Sequence, residues 1–211
     1  MEYATVLLPL LGSIISGFFG KKLGAKSCQI LTSLFVSISA ILSLFIFYEV
    51  LVQDYSSNKL IFNWISSGDF HVNWSINIDP LTSVMLVVVS LISSIIHFYS
   101  IGYMSHDPHK PRFMSYLSLF TFAMLTLVTA DNFLQLYFGW EGVGLCSYLL
   151  IGFWYKKPSA NAAAIKAFIV NRVGDFGFAI GIFLIFFFME QLITMKFFNK
   201  LHYYYKRKLF S

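Results

Sequence analysis

Charge is what this chain has least of. Only 12% of its 211 residues are Asp, Glu, Lys or Arg, against 57% hydrophobic. A soluble domain carries about twice that charged fraction, so a water-soluble globular fold is excluded. The short alternating segments of an outer-membrane barrel are missing too, because the apolar blocks run on without interruption. Cysteine is nearly absent. Cys28 and Cys146 give no disulfide or metal framework, and both sit in or beside apolar segments as packing residues. There is no glycine-rich phosphate loop, cysteine cluster or flavin motif, and nothing in the spacing of the Tyr and Phe residues suggests a haem or quinone site. Cofactors are therefore expected to be none in this chain, and any redox chemistry belongs to partners. A nucleic-acid partner is not expected either. The first 195 residues carry ten Lys/Arg and ten Asp/Glu, so the whole net charge of +5 lies in the last sixteen. The first apolar block, Tyr3 to Gly20, lacks a basic leader and passes straight into further apolar runs, so it is not a cleavable signal.

What is abundant is apolar runs of membrane-spanning length, about 20 residues each. Six candidate spans appear, at 3–20, 29–52, 81–103, 113–130, 132–155 and 161–190. The expected fold is an all-α polytopic membrane protein in the lipid bilayer. The loops alternate in charge. Lys21, Lys22 and Lys26 follow the first span, His106, His109, Lys110 and Arg112 the third, Lys156 and Lys157 the fifth. The loops after spans two and four hold Lys59 against Asp54, Asp69, Asp79 and Asp131. By the positive-inside rule the odd-span exits face the inner side. Between spans two and three, Phe70, Val72, Trp74, Ile76 and Ile78 alternate with polar residues. This period of two predicts a half-buried strand. With 60–65 and the turn Ser66-Ser67-Gly68-Asp69 it predicts a short β-hairpin on the outer face. Trp64 and Trp74 are alternatively interfacial belt residues.

One carboxylate stands out. Glu141 interrupts the fifth span, and an ionised side chain at mid-membrane costs at least ~2.5–3.5 kcal/mol. An ionisable residue there is a functional candidate by default. The sixth span adds Lys166, Arg172 and Asp175. Arg172 and Asp175 are three apart, so they share a helix face and can pair. At ~1.5 Å per residue, Glu141 and Asp175 each lie ~21 Å from the inner side, and Lys166 only ~8–9 Å. These four, Glu141, Asp175, Arg172 and Lys166, are the candidate proton-translocation residues. Asn171, Ser147 and Tyr148 are candidates to support a water chain beside them. Against this stands a purely structural reading, in which Arg172 and Asp175 neutralise each other and Lys166 snorkels to the interface. Glu141 has no cation within one turn on its own helix. Gly139, Gly142 and Gly144 are expected to serve close helix packing. His97 is expected to be a satisfied packing residue.

The stretch Asp131-Asn132-Phe133-Leu134-Gln135-Leu136-Tyr137-Phe138-Gly139-Trp140-Glu141-Gly142-Val143-Gly144-Leu145 and its continuation to Trp154 closely resembles the fifth helix of subunit 5 of respiratory complex I, NADH:ubiquinone oxidoreductase. This is the antiporter-like subunit, bacterial L-type. Lys166 to Asp175 resembles its sixth helix, Ser105-His106-Asp107-Pro108 with Arg112-Phe113 the loop before helix four, and Asp79-Pro80-Leu81-Thr82 the start of helix three. The resemblance implies an antiporter-like helix bundle that pumps protons while partner subunits, holding NADH, FMN, iron–sulphur clusters and ubiquinone, carry out the redox reaction. It implies a central pumping role for Glu141 and functional sensitivity at Asp175 and Arg172. It places residues 1–112 as N-terminal membrane helices with an outer loop at 53–80, and 113–190 as the start of the proton-translocating domain. The family subunit is about three times longer, and the lysine partner of its glutamate lies beyond this chain. Residues 191–211, with Lys196, Lys200, Lys206, Arg207 and Lys208, fall on the outer side against the charge rule. They match nothing in the family pattern. The expectation is therefore a truncated or split subunit, with a foreign tail and a separate chain supplying the rest. The other classes weighed are a multisubunit cation/proton antiporter component and a non-functional fragment. The expected setting is the mitochondrial inner membrane, with a bacterial plasma membrane as the alternative.

Overall fold

The computed structural model describes residues 1–67 and 70–189. The basic tail, residue 190 and the tip of the expected turn, Gly68-Asp69, lie outside the described residues. Eight elements follow in order: α1 (Glu2–Leu23), α2 (Ala25–Gln53), β1 (Ser57–Ser67), β2 (Phe70–Ile78), α3 (Pro80–Tyr103), α4 (Lys110–Val128), α5 (Phe133–Ile151) and α6 (Pro158–Met189). Five of the six helices are long and apolar enough to cross a membrane. α5 falls outside that group, its hydropathy lowered by Gln135, Glu141 and three glycines. The fold is an all-α polytopic membrane bundle with one small hairpin.

Local sequence explains where the helices start and stop. Asp79 caps α3, its carboxylate accepting the Thr82 N–H at 2.6 Å with Pro80 at the first helical position. Asn132 caps α5 in the same way through the Gln135 N–H at 2.9 Å. Several expected ends move. α1 runs through Lys21 and Lys22, and α2 begins at Ala25, so the expected basic loop shrinks to Gly24. Its φ of +82° is one that a side chain would resist. The fifth helix stops at Ile151 rather than 155, and the sixth starts at Pro158 rather than 161, where proline's fixed φ suits a first turn.

The hairpin forms as the period-two pattern predicts. β1 and β2 are antiparallel, pairing Ser57 with Ile78 and Ser67 with Phe70, with irregularities at Leu60/Phe62 and Asn63/Ile65. Its inward side chains Val72, Ile76 and Ile78 are fully buried. Ile76 and Ile78 join Val6, Ile46, Val50, Leu86 and Leu125 in the main apolar cluster. Trp64 and Trp74 lie on the hairpin as members of an aromatic cluster. Trp74 stacks on Phe62 and meets Trp64 edge-on, and both indoles meet Phe138 of α5 edge-on. The backbone of the hairpin is tied to the α4–α5 corner. Gln135 accepts from the Ser75 N–H and donates to the Ser75 carbonyl, Asn132 donates to the Asn73 carbonyl, and Asn77 N–H donates to the Thr129 carbonyl.

α1 to α4 pack against one another, α5 packs on α4, and α6 packs on α5. Hydroxyl pairs join the first four helices: Ser13 with Ser115, Ser37 with Ser94, Ser43 with Ser90, and Ser93 with Thr121. His97 is fully buried, its Nδ1 against the Ser93 carbonyl and its Nε2 against Ser118 Oγ. It is a satisfied packing histidine, as expected. In lipid, where no water competes, such side-chain pairs hold helices together.

Candidate functional site

The site lies where α5 meets α6. Glu141 projects from α5 toward α6 and meets two partners. Tyr137, one turn earlier on α5, donates its hydroxyl to Glu141 Oε1 at 2.8 Å. Arg172 of α6 binds Glu141 Oε2 through Nη1. The same Nη1 is 3.9 Å from Asp175 Oδ2. Asp175 is buried, and its nearer partner is the Trp140 indole, which donates to Oδ1 at 2.8 Å. The result is one chain of contacts, Tyr137–Glu141–Arg172–Asp175–Trp140, crossing twice between the two helices.

The pairing expected from spacing is present, Arg172 with Asp175 at 3.9 Å, but it is the weaker of two. Arg172 and Asp175 do share a helix face, but Arg172 binds Glu141 more closely, and Asp175 takes its stronger hydrogen bond from a tryptophan. Glu141 lacks a cation on its own helix, as noted, yet gains one from the neighbouring helix. Lys166 is not brought to the cluster. It is exposed on α6 and pairs with no acid among the described residues. The sequence reasoning missed Tyr137 and Trp140. Tyr137 was findable, because it lies four residues before Glu141 on one helix face. Trp140 carried no such signal, because its partner is on another helix. It also missed Glu2, a buried carboxylate at the start of α1. Glu2 accepts from Tyr55 and Ser57 and pairs with Lys59 at 3.2 Å. The ion pair with Glu2 holds the Lys59 ammonium above its ordinary range.

A cleft of about 720 Å³ opens beside the cluster, between α4, α5 and α6. Trp140, Gly144, Ser147, Asn171, Gly174 and Asp175 line it. Ser147 and Asn171 thus stand where a water chain would need them. Tyr148 does not. It packs on Phe168 and lines a second crevice with Arg112. The glycines divide. A Cβ on Gly139 would sit 2.7 Å from the Leu127 backbone and one on Gly142 3.2 Å from Ala123, so both serve close α4–α5 packing. A Cβ on Gly144 would meet nothing, so this glycine widens the cleft instead. Among the described residues no group of His, Cys, Asp and Glu could hold a metal ion.

Two family models match the chain. Residues 64–114 match the N-terminus of chain 5 of NADH-ubiquinone oxidoreductase (complex I), and residues 130–209 match the transmembrane region of NADH:quinone oxidoreductase and Mrp antiporters. Chain 5 of NADH-ubiquinone oxidoreductase from Triticum aestivum is 60% identical over 183 residues, covering 87% of this chain and 27% of the relative. Subunit L of NADH-quinone oxidoreductase from Rickettsia bellii is 54% identical over 186 residues, covering 88% of this chain and 29% of the relative. The chain belongs to the complex I chain 5 family. It corresponds to the N-terminal portion and spans less than a third of the length of these relatives. Solved structures agree on the fold. The Mrp complex from Dietzia sp. superposes at a TM-score of 0.76 and 20% identity, covering 91% of this chain and 20% of that one. An archaeal membrane-bound sulfane sulfur reductase superposes at 0.76 and 15% identity, covering 93% and 39%.

Proposed function

We propose that this chain is the N-terminal part of a proton-translocating membrane-arm subunit of NADH:ubiquinone oxidoreductase, working in the mitochondrial inner membrane. Its partners are the other membrane-arm subunits. NADH, FMN, iron–sulphur clusters and ubiquinone belong to partner subunits, and this chain contributes no redox centre. The single observation that carries the reading is Arg172 placed between two carboxylates, Glu141 and Asp175, beside a cleft lined by Ser147 and Asn171.

With Arg172 on Glu141, the glutamate is neutralised as an ion pair and Asp175 keeps the Trp140 indole. Asp175 lies within 3.9 Å of the same Nη1, so a short swing of Arg172 would exchange one carboxylate for the other. Glu141 would then retain only the Tyr137 hydroxyl and lose its counter-ion. This exchange of partners at Glu141 is the step assigned to translocation. Lys166, nearer the basic face, is the next cation along α6 toward that side.

The test is Glu141→Gln in the assembled complex. Proton pumping in reconstituted vesicles falls while NADH oxidation by the redox arm persists; unchanged pumping stoichiometry refutes the role. A cation/proton antiporter component is the second reading, favoured by the likeness to the Mrp complex fold. Co-purification with redox subunits, rather than with other antiporter subunits, decides between the two.

A further inference from the structure

A third crevice, of about 590 Å³, lies at the basic end of the bundle between α1 and the start of α4. Lys21, His109 and Arg112 line it with Ser16, Ser115 and Tyr116. The two serine hydroxyls are already used: Ser16 donates to the Pro111 carbonyl, and Ser115 to the Ser13 carbonyl. Lys21 makes no ion pair among the described residues. Arg112 donates from Nη2 to the Phe153 carbonyl and lies over the Phe153 and Tyr155 rings, but its buried Nε has no partner. One acid is close. Asp107 accepts the His109 N–H at 2.7 Å and the Trp154 indole at 3.0 Å, and it feels the charge of Arg112 without a salt bridge to it. The crevice therefore offers one unpaired ammonium, Lys21, and one unpartnered guanidinium nitrogen, Arg112 Nε.

The wall above it is apolar and uncovered. Leu7, Ile14 and Lys21 are seven residues apart and share one face of α1. Leu7, Leu11, Ile14 and Phe18 are all exposed, forming a greasy strip that ends at the Lys21 ammonium. A cationic crevice at the foot of an apolar strip matches the two parts of a phospholipid, and basic pockets between helices on this side of a membrane bind anionic headgroups.

We propose that this crevice binds the phosphate of an anionic phospholipid, with Lys21 and Arg112 holding the headgroup and the α1 strip carrying an acyl chain. The proposal stands apart from the proton-translocation reading, because it uses none of the α5–α6 residues. The probe is spin-labelled phosphatidylglycerol, with spin-labelled phosphatidylcholine as the neutral control. The full chain is reconstituted in phosphatidylcholine vesicles, and the motionally restricted lipid is measured. The wild type should hold phosphatidylglycerol in preference to phosphatidylcholine. Lys21→Gln and Arg112→Gln should each weaken that preference about fivefold, while the double variant Lys156→Gln/Lys157→Gln, which removes twice the charge elsewhere on the basic side, should change it less than about twofold. Equal losses in all variants would mean diffuse surface attraction and overturn the proposal, as would no loss at Lys21→Gln. Displacement by millimolar inorganic phosphate would identify a free-phosphate site and also overturn it. If Arg112→Gln fails to fold by circular dichroism, Lys21→Gln decides alone, because Lys21 has no ion partner in the fold to lose.

Discussion

The first four helices and the α5–α6 pair bury polar groups in opposite ways. Apart from Glu2 at the start of α1, which pairs with the hairpin, α1 to α4 use neutral hydroxyls and one histidine paired across helix contacts. α5 and α6 use two carboxylates and one arginine, linked in a line and flanked by an open cleft. A neutral hydroxyl pair has one stable state and merely fastens helices. An arginine between two carboxylates can be shared between them. Under the proposed function, the difference separates scaffold from machinery within one chain. α6 is also the least covered of the apolar helices: its outward residues Val173, Phe176 and Phe183 are exposed, and only 11% of its apolar stretch is buried against 28–44% in α1 to α4.

The comparison can be broken at its tightest point. Gly139→Leu drives a side chain into the Leu127 backbone and should cost about 3 kcal/mol or more, preventing α5 from seating on α4. Gly144→Ala, five residues along the same Gly-rich stretch and facing open space, should fold normally. Denaturation midpoints of the two variants in detergent measure the contrast, and equal loss would show that the cleft is not open. Next in size is Arg172→Met. It strips the shared cation from two carboxylates and should cost about 2 kcal/mol, less than a fully buried pair would lose because the guanidinium is half exposed. Adding Glu141→Gln should recover part of that loss, and a strictly additive double variant would contradict the shared-arginine geometry.

Smaller effects belong to the scaffold. Ser43→Ala removes one side of the Ser43–Ser90 pair and should cost only ~0.6 kcal/mol, the typical worth of a hydroxyl contact between membrane helices. A loss as large as that of Arg172→Met would erase the distinction between fastening and switching. The smallest effect lies in the loop before α4. Partial burial pushes the Asp107 carboxyl upward, but the hydrogen bonds from the His109 N–H and Trp154 indole, with nearby positive charge, hold it below its ordinary value of 3.8. A depressed carboxyl contributes stability above pH 3.8 and loses it as pH falls through the folded value. Trp154 fluorescence should therefore change on acidification below about pH 3.8, and Asp107→Asn should abolish that titration.

Much of the architecture was legible in the residues, for identifiable reasons. Continuous apolar runs can only be membrane helices, because backbone polar groups in lipid must be satisfied within the segment. The alternation from Phe70 to Ile78 can only bury one face if it is a strand. Glu141 was conspicuous because burying a charge is costly. The boundaries were less legible. Lys21 and Lys22 continue α1 by pointing outward, so a charge read as a loop is a helix end.

By itself the sequence determined the helices, the hairpin, Arg172 and Asp175 on one face, and Tyr137 one turn from Glu141. All of these follow from repeats of 3.6 or 2 residues along a single element. Only the tertiary structure decided that Arg172 binds Glu141 more closely than Asp175, that Trp140 reaches Asp175, that Gln135 anchors the hairpin, and that Lys166 stands apart. The physical reason is the same in each case. Neighbours on one helix are set by covalent geometry, whereas partners on two helices depend on how far each is rotated and shifted when its apolar face packs.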